Sequence, residues 1–394
     1  MDLRALANAI GITGKYPEAM DVIYENLPQA KTPACDLQDL ENLQETYRVF
    51  GKYYEQVLQA AKIINQDPLR STWVKVASQY ASGVSLEETC GIPAPEMDGT
   101  PATNFLALFV MLPQITPAIN EYLRRGFSRE ELLELFRYFE DCIEIVCRHT
   151  GNPGINQDYY NWLSIYTKVK IFILKGFWFE MCELPVSAMW LKNKTTGALL
   201  PIALRGPFTA DGKHRVGAAG YTQCDETLEI SFEETVESYI GHGIYDCIAS
   251  PQKEHFPKCQ WGCVAKPYDP CVSLHIQRGA DISPENLGKA IAEAKKLMAE
   301  RFPEFTGKEI YCSSWLLDPT LQELTGENSK ISTFAKCFSR HPIKNNGMSV
   351  FSFVFPCYYP KYQDLPEETS LQRKIKKRYI DGKFIYFTSG LYIK

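Results

Sequence analysis

From Cys271 to Ile276 the chain alternates Val272, Leu274 and Ile276 with Cys271, Ser273 and His275, the two-residue period of a pleated strand. Ser283 then offers an N-cap oxygen, and Pro284 suits a first helical position, where its missing N–H costs nothing. Beyond it Leu287, Ile291, Ala294, Leu297 and Met298 fall on one side of a helix. Lys289, Glu293, Lys296 and Glu300 fall on the other, and Phe302-Pro303 ends the run. A second strand follows within Tyr311-Cys-Ser-Ser-Trp-Leu-Leu-Asp-Pro319, with Trp315 coming after it. A crossover this long predicts a parallel strand–helix–strand unit, and in open α/β sheets ligands collect at the carboxyl ends of such strands. Gln277, Arg278 and Ser283 are thereby expected near one mouth, with Ser313, Ser314 and Trp315 beside them.

The rest of the chain divides by pattern. Up to about Lys175 the spacing predicts helices: the stripe Leu37, Leu40, Leu43, Tyr47, Phe50, Tyr54, then Pro68 to Ala81, Thr103 to Arg125, Ser128 to His149 and Asp158 to Lys175. Ser128-Arg-Glu-Glu131 reads as a capping box. After Gly176, glycine-broken aromatic and β-branched runs predict strands at 177–182, 188–193, 199–204, 215–221 and 227–232. The alternation over Val350 to Phe355 and the segment Phe384 to Tyr392 predict strands near the C-terminus. The expected fold is α+β, with an all-α N-terminal domain over 1–175 and a mixed α/β domain over 176–394.

Composition narrows the function without naming it. The chain has 394 residues, 45% of them hydrophobic, and a formal charge of −5, with no concentrated basic excess of the kind nucleic acids demand. Thirteen scattered cysteines and a start without a signal-peptide pattern favour reduced thiols in a cytoplasm. The longest apolar run, Phe105 to Leu112, stops at Pro113, short of the roughly 20 residues of a membrane helix. Neither nucleic acid nor membrane is an expected partner.

Four segments carry a resemblance: Leu274-His-Ile276, Cys312-Ser-Ser-Trp-Leu-Leu-Asp-Pro319, Asn328-Ser-Lys-Ile331 with Phe334 and Phe338, and Leu365 to Arg373 with its Thr-Ser-Leu-Gln-Arg ending. Together they resemble a bacterial family of acyltransferase-domain proteins that pair a helical N-terminal domain with a domain like the GCN5-related N-acyltransferases (GNATs). The resemblance implies acetyl-CoA or another acyl-CoA as substrate, a small-molecule amine or hydroxyl acceptor, and no metal. It puts the CoA pyrophosphate at Gln277 to Asn286, where helical N–H groups favour anions. Ile276, Gln277, Arg278, Gly279, Ala280, Ser283 and Trp315 are then the cofactor-binding candidates. The superfamily's loop has Gln or Arg, two residues, Gly, one residue, then Gly or Ala. Here Ile276 stands three residues before Gly279 and Asp281 two after it.

Direct attack on a thioester needs a base for the acceptor and an acid for the thiolate. His275 or a bound water is the candidate base, and Tyr311 or a serine of the second strand, Ser313, the candidate acid. A non-catalytic ligand-binding or regulatory protein on the same fold is the alternative. Other groupings are set aside. His255, Cys259, Cys263 and Cys271 lack a Cys-x-x-Cys knuckle for zinc. Cys312 reads as an inert thiol beside His275, and Asp318-Pro319 as a turn. The basic run Arg373 to Arg378 reads as a solvated helix face. Gly11 to Lys15 and Gly241-His-Gly243 fall short of phosphate-loop and dinucleotide fingerprints.

Overall fold

In the computed structural model the described residues are 1–28, 32–206, 208–209, 212, 227–343, 347, 349–355 and 359–393. The expected strand over 215–221 lies outside them. Two compact units form, Met1–Ile173 and Leu174–Lys394.

The first unit is helical from Leu3 to Thr167 among its described residues. Its helices begin where the sequence supplies caps. Asp36 and Asp67 accept from the second and third amides of Leu37–Tyr47 and Pro68–Gly83, and Ser128 and Glu131 form the predicted capping box. The 37–54 stripe is broken at Arg48, whose left-handed φ of 51° ends one helix before Tyr54–Gln66 begins. Leu106–Arg124 continues through Pro113 and Pro117. No helix of the described residues is long and apolar enough to cross a membrane. The unit's core is aromatic: Trp73, Phe105, Phe109, Tyr122, Phe136, Phe139, Tyr160 and Tyr166 are all almost wholly buried. Tyr122 satisfies its buried hydroxyl by donating to the Ile171 carbonyl at 2.8 Å.

A six-stranded sheet is built from β1 (Ile171–Leu174), β2 (Phe177–Glu183), β3 (Pro270–Ile276), β4 (Ile310–Ser314), β5 (Phe338–Pro342) and β6 (Thr388–Tyr392), the last five in the second unit. They lie in the order β1-β2-β3-β4-β6-β5. The β3–β4 pair is parallel, with Val272, Ser273 and Leu274 opposite Ile310, Tyr311 and Cys312. The helix Pro284–Arg301 makes the crossover between them, capped by Ser283 as the sequence predicts. The β2–β3, β4–β6 and β5–β6 pairings are antiparallel. A second antiparallel sheet runs Glu254–Pro257, Ser238–Tyr245, Leu199–Ala203, Ala188–Asn193, Trp261–Ala265. Its Trp190, fully buried, donates Nε1–H to the Ser339 carbonyl of β5 at 3.0 Å. Leu184, Ala188, Trp190 and Ala265 pack there against Cys271, Tyr311 and Leu391 of the first sheet.

Two strand expectations fail. Ser349–Val354 is helical, and Phe384 to Phe387 precedes the strand rather than joining it. The 350–355 alternation put aromatics at every second position, yet Phe351 meets Phe355, four residues on, at 5.3 Å and also packs on Tyr362 and Tyr379. Helical spacing gathers these rings into one cluster with Trp315, Leu321, Ile375 and Ile385, so tertiary packing overrides the local period. The Thr227 to Phe232 run keeps only the short strand Thr227–Leu228.

Candidate active site

Strand register decides what shares a face. Directly opposed residues point the same way, so one face of the six-stranded sheet carries Trp178, Glu180 and Cys182 of β2 with His275, Ser273 and Cys271 of β3. The same face continues with Tyr311 and Ser313 of β4, Ser389 and Leu391 of β6, and Ser339 and His341 of β5. The other face carries Phe177, Phe179, Met181, Val272, Leu274, Ile276, Ile310 and Cys312. The crossover helix lies over that apolar face, since a Cβ on Gly288 would come within 3.9 Å of Tyr392 Oη.

On the polar face His275 Nε2 and Glu180 Oε2 are 2.7 Å apart, with side chains 28% and 14% exposed. The contact sits at the carboxyl end of β3, half-open to solvent. When Nε2 carries the ring's proton it donates to the Glu180 carboxylate, and that bond orients the imidazole on the sheet face. The alternation of β3 revealed His275. Glu180 was not singled out in the sequence, although an acid between Phe179 and Met181 in an apolar strand was its signal.

Deeper in the same face, Tyr311 Oη and Ser389 Oγ are 2.7 Å apart, and Ser389 Oγ donates to Ser313 Oγ at 3.2 Å. Burial raises the Tyr311 phenol above its ordinary range, and its serine partners pull it partly back. The two expected acids are thus joined in one hydroxyl chain through Ser389, a residue sequence reasoning missed because it lies 78 positions from Tyr311.

After β3 the chain turns. Gln277 N–H donates to the Gly176 carbonyl at 3.0 Å, Ala280 N–H donates to the Gln277 carbonyl at 3.1 Å, and Gly279 takes φ = +83°. A Cβ on Gly279 would meet nothing within 4 Å, so this turn has open space above it. Gly176, also at positive φ, lets the turn come close: a Cβ there would approach Ala280 Cβ to 3.0 Å. Ser283 Oγ accepts from Asn286 N–H at 3.3 Å and donates to Asp281 Oδ2 at 2.9 Å, while Asp281 Oδ1 accepts from Ser283 N–H and from Lys330 Nζ. Those hydrogen bonds, Ser283 first and then Lys330, hold the Asp281 carboxyl below its ordinary range.

The structure therefore brings His275, Ile276, Gln277, Arg278, Gly279, Ala280 and Ser283 into one strand-end, turn and helix cap. Tyr311 and Ser313 join the same sheet face. Trp315 goes elsewhere, 8% exposed within the aromatic cluster of Leu321, Val350, Phe355, Leu365, Ile375 and Tyr379. Asp318 is a buried turn carboxylate that accepts from the Thr320 and Tyr386 amides. The 373–378 basic run is engaged with its neighbours: Arg373 donates to the Glu367 carbonyl, Lys374 to the Leu324 carbonyl, and Lys376 and Arg378 reach Glu367 and Glu323. Among the described residues no three His, Cys, Asp or Glu side chains gather as a metal site.

Residues 214–392 match the family model of the GNAT-like C-terminal domain. No curated protein matches the chain. Three solved acyltransferase structures share its fold over 100% of this chain and 99% of theirs, each at 16% identity. They are an acyltransferase with decanoyl-CoA (TM-score 0.66), one with decanoyl-CoA and teicoplanin (0.65), and a mutant with octanoyl-CoA (0.66).

Proposed function

We propose, for a chain that sets a GNAT-like C-terminal domain behind a helical N-terminal region, transfer of an acyl group from acyl-CoA to a small-molecule amine or hydroxyl. The observation that carries this reading is the His275–Glu180 pair at the carboxyl end of β3, directly beside the open turn at Gly279. The parallel β3–helix–β4 unit supports it, as do structural neighbours whose ligands are octanoyl-CoA and decanoyl-CoA.

In this reading the turn from Gln277 to Ala280 and the cap at Ser283 receive the CoA pyrophosphate. A main-chain N–H near the end of β3 polarises the thioester carbonyl. The acceptor's nucleophile attacks the carbonyl carbon and loses its proton to the His275 imidazole, which Glu180 orients. The carbon–sulfur bond breaks, and the departing thiolate is protonated from the Ser313 end of the hydroxyl chain. Tyr311 acts behind Ser313 through Ser389. One of these neighbours holds teicoplanin beside decanoyl-CoA. An amine on a comparably bulky scaffold is accordingly the first acceptor class to try.

One observation favours the rival reading, a non-catalytic binding protein. Asp281 places a carboxylate at the crossover-helix cap, where it already takes the Ser283 donors that a phosphate would use. Calorimetric titration with CoA, acetyl-CoA, octanoyl-CoA and decanoyl-CoA decides between them. Saturable binding, followed by acceptor-dependent thiol release, establishes the transferase. Absence of binding to all four overturns it.

A further inference from the structure

Cys182 and Cys271 oppose each other directly across the antiparallel β2–β3 ladder, with their sulfurs 3.6 Å apart. Both are free thiols; Cys271 is 2% exposed and Cys182 is intermediate. Residues facing one another in an antiparallel pair have Cα atoms about 4.5–5.5 Å apart, and that interval falls within the span a disulfide bridges. A sulfur–sulfur bond is about 2.05 Å long, so side-chain rotation has to close about 1.5 Å while the strands stay paired. The pair also sits where a link has a consequence. The next rung of the ladder on the same face is Ser273 opposite Glu180, and Glu180 holds His275.

We propose that Cys182 and Cys271 form a reversible dithiol–disulfide site oxidised by small-molecule disulfides of the glutathione type. Cys182, the more exposed sulfur, attacks one sulfur of the external disulfide as its thiolate. The external S–S bond breaks, one external thiol leaves, and a mixed disulfide remains on Cys182. Cys271 then attacks the Cys182 sulfur and expels the second external thiol. The two protein thiols give up two electrons and two protons, and both protons end on the two released thiols. A dithiol reductant reverses each step. The hydrogen bond from its partner sulfur, followed by burial, holds the Cys182 thiol above its ordinary range, which slows the exchange. By contrast Cys312 is fully buried on the apolar face, out of reach of any external disulfide. Once formed, the bond pins β2 to β3 one rung from Glu180 and resets how that carboxylate meets His275. Only this last consequence rests on the acyl-transfer reading.

The test incubates the full-length protein with glutathione disulfide, traps remaining thiols by alkylation, and reads intact mass and peptide linkage. The expected result is loss of two of the thirteen alkylatable thiols, a mass about 2 Da lower before alkylation, and a Cys182–Cys271 crosslinked peptide that dithiothreitol removes. Cys182→Ser, the milder change in packing, should block the crosslink while keeping reduced-state thiol release from acyl-CoA. A glutathione adduct that persists on Cys182, a crosslink through other cysteines, or thirteen unchanged thiols overturns the proposal. A correct crosslink in a protein that binds no acyl-CoA sinks the transferase reading and leaves the thiol site standing.

Discussion

The two faces of the six-stranded sheet are made from the same strands, alternating residue by residue, yet they do different work. Beneath the crossover helix Val272, Leu274, Ile310 and Cys312 are at most 2% exposed and hold the unit together by burial. Opposite them the rungs carry an imidazole, a carboxylate, two facing thiols and a chain of three hydroxyls. Buried polar groups are costly unless they are hydrogen-bonded, and here His275 meets Glu180 and Tyr311, Ser389 and Ser313 meet one another across strands. The lesson is that the helix packs on the apolar face, and strand pairing assembles the chemistry on the face turned away from it, part of which lies under the second sheet.

If that division holds, the largest effect belongs to the polar face. His275→Ala should lower thiol release from acyl-CoA by about 10²-fold or more, the usual contribution of a positioned base, with the melting temperature little changed because the ring is partly exposed. Glu180→Gln keeps the shape but removes the charge, and should produce a smaller loss concentrated in kcat rather than KM. A His275 variant that unfolds the protein while an apolar-face variant abolishes turnover in a stable fold would reverse the assignment.

Next in size is the apolar face. Leu274 is fully buried one residue before His275, and Leu274→Ala should cost about 2–5 kcal/mol in chemical denaturation. At temperatures where the variant stays folded, its kcat should remain within a few-fold of the parent. Strand neighbours with opposite outcomes are the sharpest form of the comparison.

How far this was legible follows the same line between local and distant. The β3–helix–β4 unit, the Ser283 and Ser128 caps and the helical N-terminal region lay in the sequence because each is written within a few consecutive residues. So were the two-part fold and the family resemblance. Glu180 reaches His275 from 95 residues away, and Ser389 reaches Tyr311 from 78, through antiparallel pairings that no local pattern specifies. The 350–355 segment failed in the opposite sense. Its clear two-residue alternation lost to a cluster of rings contributed by residues 362, 379 and 384.

The turn that joins the two faces yields two smaller effects. Gly279→Trp should weaken CoA binding at least tenfold if phosphate approaches the main chain there, since the space above Gly279 is open. Gly279→Asn, which tolerates positive φ, serves as the control for backbone strain of about 1–2 kcal/mol. Loss of CoA binding in both variants would point to strain rather than occlusion.

The smallest effect tests whether Asp281 is an obstacle or a strut at the helix cap. Asp281→Asn removes a negative charge from the first turn's approach, and at low ionic strength should tighten CoA binding roughly two- to five-fold, fading as salt screens it. The same substitution carries an internal control in its pH dependence. A carboxyl held below its ordinary value in the folded state stabilises that state above the unfolded pKa of about 3.9, and loses the contribution as pH falls through the depressed value. The parent should therefore be slightly the more stable protein at neutral pH, with the difference vanishing on acidification, while the variant is the better CoA binder. Tighter binding together with unchanged stability would make Asp281 simply an obstacle; weaker binding would mean that its grip on Ser283 and Lys330 shapes the turn that the pyrophosphate needs, and the polar face would then extend through the cap.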